Sequence, residues 1–191
     1  MRHFSRRYRC VAFNARGYPP SDVPTPVSKY SWKIAIADMV NLVRHLGIAK
    51  AHVVGCSMGA YSTLQFGLHY PQRALSLTVV GAGAGADPAR RAEWLKASAA
   101  SAQRFEEGGL EAAAKTYRNA SNRIQLDNKD PRSFREFFAR FAEHSARGHA
   151  NTIRGVQMRR PALQGMKAGF SRLKLPTRSE EHTSELQSLA Y

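Results

Sequence analysis

Ser57 lies at the centre of the pentapeptide Gly55-Cys56-Ser57-Met58-Gly59, and the apolar run Ala51 to Val54 leads directly into it. A serine between two glycines at a strand-to-helix junction builds a sharp elbow, in which the backbone is strained and the hydroxyl stands clear. Given a base to take its proton, such a hydroxyl attacks a carbonyl carbon. The plain alternative is an ordinary serine in a glycine-lined turn. The flanks favour the elbow: His52, Val53 and Val54 are strand-like, and Met58 to Tyr70 reads as a helix with Leu64 and Leu68 on its apolar face, stopped before Pro71.

The elements that hold this elbow follow from periodicity. Tyr8 to Phe13 reads as an apolar strand running into the turn-rich loop Asn14 to Asp22. Ser31 then caps a helix in which Trp32, Ile36, Met39, Val40, Val43 and Leu46 recur at helical spacing, with Gly47 closing it. Ala51 to Gly55 is the second strand and Leu75 to Val80 the third. Strands alternating with helices imply right-handed crossovers, a parallel sheet with helices on both faces, and ligands bound beyond the carboxyl ends of the strands. Ser57 stands at such an end. After Gly81 to Gly85 the character changes, and Asp87-Pro88 and Asp130-Pro131 each offer a cap followed by a helix-starting proline. Helices are expected from Asp87 to Ser171, carrying Trp94, Leu95, Phe105, Tyr117, Phe134, Phe137, Phe138 and Phe141. Any one of these aromatics is read first as helix packing.

The 191 residues are 43% hydrophobic, enough for one domain with a real core. The net charge of +15 raises the question of nucleic acid. The 21 arginines and 8 lysines are scattered, however, and no aromatic-interleaved basic repeat accompanies them. A solvated basic surface is the better reading, with Arg6-Arg7 and Arg159-Arg160 as the local clusters. Cys10 and Cys56 make no disulfide framework, and with no targeting segment or membrane-length apolar run the expected location is cytoplasmic. No Cys/His cluster has metal-ligand spacing, so neither metal nor cofactor is expected. No membrane partner is expected either.

With elbow, element order and helical insertion in place, residues 1–177 resemble the α/β-hydrolase superfamily, within its lidded ester and enol-lactone hydrolases. The resemblance implies an α/β fold: a partial doubly wound parallel sheet over 1–86 with the elbow, a helical lid over 87–172, and the start of the next core strand at 173–177. The loop Asn14 to Asp22 is similar to the family's Asp-x-x-Gly-x-Gly-x-Ser turn through Asn14, Gly17, Pro19 and Ser21, with departures at Asn14 and Pro19. Leu173-Lys174-Leu175-Pro176-Thr177 is similar to the lead into the strand after the lid. Residues 178–191 break that pattern and resemble the in-frame translation of a sequencing adapter, so they are left out of the expected fold. The resemblance also implies that one oxyanion-hole amide comes from Met58, the residue after the nucleophile, and that a strand and a His-Gly-type loop lie ahead of Met1, the loop supplying the other amide.

The family order is nucleophile, acid, histidine, which places both partners of Ser57 downstream, past Thr177. Inside the chain, Asp87 offers a carboxylate and His144 or His149 a base. Each also has a plainer reading, which is preferred: Asp87 as a helix cap, His144 as the end of a lid helix, His149 as a loop side chain. Arg16 is read as a surface or structural residue. The implied activity is that of a serine hydrolase on a small-molecule acyl substrate, with this chain inactive because its oxyanion loop, acid and histidine are missing. The competing class is a non-catalytic truncated product or basic binding fragment. A serine in this position argues against the superfamily's epoxide hydrolases and haloalkane dehalogenases, which use aspartate there.

Overall fold

The computed structural model describes residues 3–180. Three parallel strands form its sheet in the order β1 (Ala51–Cys56), β2 (Ala74–Val80), β3 (Thr177–Glu180). The first helix, α1 (Trp32–His45), starts where the sequence places it, with the Ser31 hydroxyl accepting from Ile34 N at 3.1 Å. Gly47, at φ +66°, lies just past its last turn. The elbow helix α2 (Met58–His69) packs against β1 and β2. Ile36 of α1 joins Ala60 and Phe66 of α2 with Ala74, Leu77 and Val79 of β2 in one buried cluster, and Leu173 and Leu175 pack on its edge. Leu77 and Val79 alternate into this cluster along β2, as period-two patterning requires.

Between β2 and β3 run α3 (Arg91–Arg118), α4 (Ser121–Lys129), α5 (Pro131–Ala142), α6 (Ala146–Asn151), a π-helical turn (Thr152–Gln157) and α7 (Lys167–Phe170). Asp130 caps α5, accepting from Ser133 N at 3.0 Å. Gly109, at φ +65° and ψ −161°, kinks α3. The aromatics expected to be packing residues are that: Phe105, Phe134, Phe138 and Phe141 are buried together with Ala102, Ala113, Ala150 and Ile153. A second core, distinct from the sheet cluster, thus sits inside the helical segment.

Three expectations are corrected. Tyr8 to Phe13 is not a strand: Tyr8, Val11 and Phe13 are exposed. Phe13 and Val54 of β1 instead line a cavity of about 130 Å³. Tyr8 meets β1 through its ring, edge-on to that of His52 at 5.6 Å, but among the described residues no backbone ladder joins the segment to β1. Second, the break expected at Thr177 falls inside β3, where Leu77 pairs with Thr177 and Val80 with Glu180. Gly81 N donates to Glu180 O at 2.8 Å. Main-chain bonding to the edge of β2 is indifferent to side chains, so Thr-Arg-Ser-Glu forms a strand with every residue exposed. Residues 181–191 of the tail, with His182, lie outside the described residues. Third, Asp87 does not cap a helix at Pro88: its Oδ1 accepts from Ala89 N at 2.9 Å, a local turn, and α3 begins at Arg91.

Candidate active site

Ser57 adopts φ 54° and ψ −114°, and it is the one described non-glycine residue with positive φ. No ordinary well holds that pair of angles, and such a conformation costs roughly 1–3 kcal/mol unless its surroundings impose it. They do impose it. Ser57 N donates to Val80 O at 2.8 Å at the end of β2, and Ser57 O accepts from Tyr61 N at 3.2 Å in the first turn of α2. The side chain is exposed and makes no capping bond, so its hydroxyl is available. Met58, the first residue of α2, is half-buried, and its N–H is among the four at a helix start that have no intrahelical acceptor. The helix dipole adds a positive field at the same place.

The two glycines of the elbow differ. A Cβ on Gly55 meets Gly59 O at 2.2 Å, Gly59 C at 2.4 Å and Thr63 Oγ1 at 2.5 Å, so β1 and α2 approach too closely for any side chain there. A Cβ on Gly59 meets nothing within 4 Å. Cys56 is exposed and carries a free thiol.

The internal partner candidates are not brought to Ser57: among the described residues no hydrogen bond joins it to Asp87, His144 or His149. The two histidines meet each other, His144 Nδ1 lying 3.0 Å from His149 Nε2. His149 is not a loop side chain. It is buried in α6, stacked on Phe105 at 4.5 Å and edge-on to Tyr18 at 4.9 Å, and burial followed by the His144 charge pushes its pKa down to about 4. Burial also lowers His144, and it raises the Tyr18 phenol to about 12. These are properties of a packed junction between the Asn14 to Asp22 loop and the helical segment. Gly17 at φ +93° belongs to the same junction, since a Cβ there meets Tyr30 at 2.9 Å and Thr152 Oγ1 at 3.0 Å. Arg16 is tied to Asp38 of α1 by Nε to Oδ2 at 3.0 Å and Nη2 to Oδ1 at 2.9 Å, and that bond leads the causes that raise its pKa. Among the described residues no group of three or more His, Cys, Asp or Glu can hold a metal ion. None of the described helices is long and apolar enough to cross a membrane.

A family model described as the alpha/beta hydrolase fold matches residues 1–189. The chain belongs to the α/β-hydrolase family. It is similar to epoxide hydrolase 1 of Caenorhabditis elegans, 38% identical over 72 residues, which is 38% of this chain and 18% of the relative. It is also similar to RutD of Caulobacter segnis, by its name a candidate carbamate hydrolase, 34% identical over 88 residues, 46% of this chain and 33% of the relative. The chain thus matches a third or less of the length of either. Among solved structures, the enol-lactonase of Burkholderia xenovorans LB400 superposes with a TM-score of 0.76 at 18% identity, over 93% of this chain and 64% of that one. That likeness is one of fold: an α/β-hydrolase sheet, elbow helix and inserted helices.

One residue of the site was poorly legible in the sequence. Tyr61, one turn into α2, is buried, and its phenol donates to Pro161 O at 3.1 Å while accepting from Gln65 Nε2 at 2.9 Å. No local signal in the sequence marks this burial, which depends on the distant Pro161.

Proposed function

We propose that Ser57 is the nucleophile of a serine hydrolase acting on the carbonyl of a small ester or lactone. The observation that carries this reading is the strained, positive-φ Ser57 with its hydroxyl uncommitted at the carboxyl end of β1. Oγ adds to the carbonyl carbon as its proton passes to a histidine, and the Met58 amide donates to the oxyanion. The leaving alkoxide departs with that proton, and water then cleaves the acyl ester. Serine suits a carbonyl and not an epoxide: ring opening by a serine oxygen leaves an ether, which water does not hydrolyse, whereas an acyl serine is an ester that it does. The 34% identity to RutD, whose name points to a carbamate carbonyl, agrees with this choice.

We further propose that this chain is a poor catalyst. Loss of a triad member typically costs several orders of magnitude in rate. The helices between β2 and β3 are read as the lid over this centre, and the free cysteines fit a reducing, cytoplasmic setting. Hydrolysis of 4-nitrophenyl acetate tests the reading. Turnover is expected within about tenfold of that of Ser57→Ala, since the base is what raises the rate. Fast turnover that persists in Ser57→Ala would place the chemistry on another residue.

A further inference from the structure

Arg160, half of a basic cluster that the sequence assigns to the surface, is only 5% exposed. Its guanidinium lies 4.5 Å over the ring of Tyr61 in the elbow helix and 5.3 Å from the ring of Trp94 in α3. Arg91 flanks Trp94 as well, at 5.3 Å. The donors of this pair are incompletely used. Arg160 Nη2 donates to Ala84 O at 2.7 Å. Arg91 Nη1 donates to Gly85 O at 2.8 Å, and its Nη2 to Arg160 O. Arg160 Nε and Nη1 have no acceptor among the described residues, and no described carboxylate lies within ion-pair distance of either arginine. The carboxylates nearest in sequence are engaged elsewhere: Asp87 in its turn with Ala89, and Glu93 with Arg90 at 4.0 Å.

Arg160, enclosed between two rings without an anion beside it, is costly to bury, because ring faces and carbonyl oxygens compensate only part of the lost hydration, and Arg91 adds a second, half-exposed guanidinium next to it. A carboxylate supplies the missing acceptors in the fork geometry that arginine favours. The place also suits a ligand. Ala84 and Gly85 follow the carboxyl end of β2, where ligands of parallel α/β sheets bind, and Tyr61 stands one helical turn, roughly 6 Å of rise, beyond Ser57.

We propose that Arg160, with Arg91 beside it, forms a carboxylate-binding subsite where the elbow helix, the loop after β2 and α3 meet, and that the acyl substrate carries an acidic group held there. Binding of the carboxylate is independent of the role of Ser57. Its assignment to the acyl substrate rests on the serine-hydrolase reading.

The chain contains two tryptophans, so a Trp32→Phe background leaves Trp94 as sole reporter, directly against both arginines. Its emission is followed during titration with glutarate and with glutaramide, the neutral diamide of the same length, at constant low ionic strength. A saturable response to glutarate and none to glutaramide is expected. Arg160→Gln and Arg91→Gln should each weaken glutarate by about tenfold or more, the scale of a lost charge-assisted hydrogen bond. The proposal is overturned by no saturable glutarate response, by an equal response to glutaramide, or by affinity unchanged in folded Arg160→Gln and Arg91→Gln proteins. If circular dichroism shows that Arg160→Gln has not folded, the two ligands on the parent protein and Arg91→Gln decide. Mass-mapped fluorophosphonate modification of the same preparation, at Ser57 or at another residue, reports on the hydrolase reading separately, since it requires neither arginine.

Discussion

Replacing Gly55 and Gly59 by alanine, one at a time, separates two residues that look equivalent in the sequence. In Gly55→Ala the new methyl meets main-chain atoms of Gly59 at 2.2 and 2.4 Å and Thr63 Oγ1 at 2.5 Å. Thr63 can rotate, but the Gly59 carbonyl belongs to the first turn of α2 and moves only if the helix moves off β1. Overpacking of this kind costs about 1–3 kcal/mol, and the backbone nature of the contact puts this site at the upper end, about 3 kcal/mol. At Gly59 the methyl enters open space in a helix with ordinary φ. Alanine there gains up to about 1 kcal/mol of helix propensity and lost unfolded-state freedom. The pair therefore differs by about 4 kcal/mol, or about 8–16 °C in Tm at 2–4 °C per kcal/mol for a domain of this size. Urea unfolding followed by circular dichroism reads both. Equal stabilities for the two variants, or a more stable Gly55→Ala, would refute the close strand-helix approach at the elbow.

The buried His149 makes stability depend on pH in a window with a definite sign. Its folded pKa of about 4 lies below the unfolded value of 6.5, so the unfolded chain binds more protons between those limits. Stability is complete above pH 6.5, falls by up to about 1.4 kcal/mol per unit as pH drops toward 4, and does not depend on this group below that. His149→Phe, which keeps the stack on Phe105, should flatten the slope in urea midpoints measured from pH 7 to 4; an unchanged slope would mean that another group titrates. Phe105 is 2% exposed and touches Tyr117, Phe141 and His149. Phe105→Ala should cost about 3–5 kcal/mol in the same assay, and a loss under 1 kcal/mol would show that the helical segment has no core of its own.

The sequence carried α1, β1, α2 and β2 nearly to the residue, because each is written in local signals: the Ser31 cap, the apolar run Ala51 to Val54, the elbow glycines and the proline after α2. What it misplaced depends on partners far along the chain. Tyr8 to Phe13 has strand composition, but a strand exists only where its backbone finds a ladder partner, and none of the described strands pairs with it. Thr177 to Glu180 has none of that composition and pairs through its backbone alone. At the site, Ser57 and Met58 were legible because the turn is encoded within five residues. The burial of His149 and of Arg160 was not, since a polar side chain reads as exposed until tertiary packing encloses it.

Ser57 itself is best tested by mass mapping of a fluorophosphonate adduct on the intact chain. The uncommitted hydroxyl, the Met58 amide and the helix dipole make it the most reactive hydroxyl among the described residues, while the lack of a base among its described neighbours makes the reaction slow. The expected result is slow, single-site modification on the peptide bearing Ser57, absent in Ser57→Ala. Modification of a different residue, or labelling undiminished in Ser57→Ala, would contradict it.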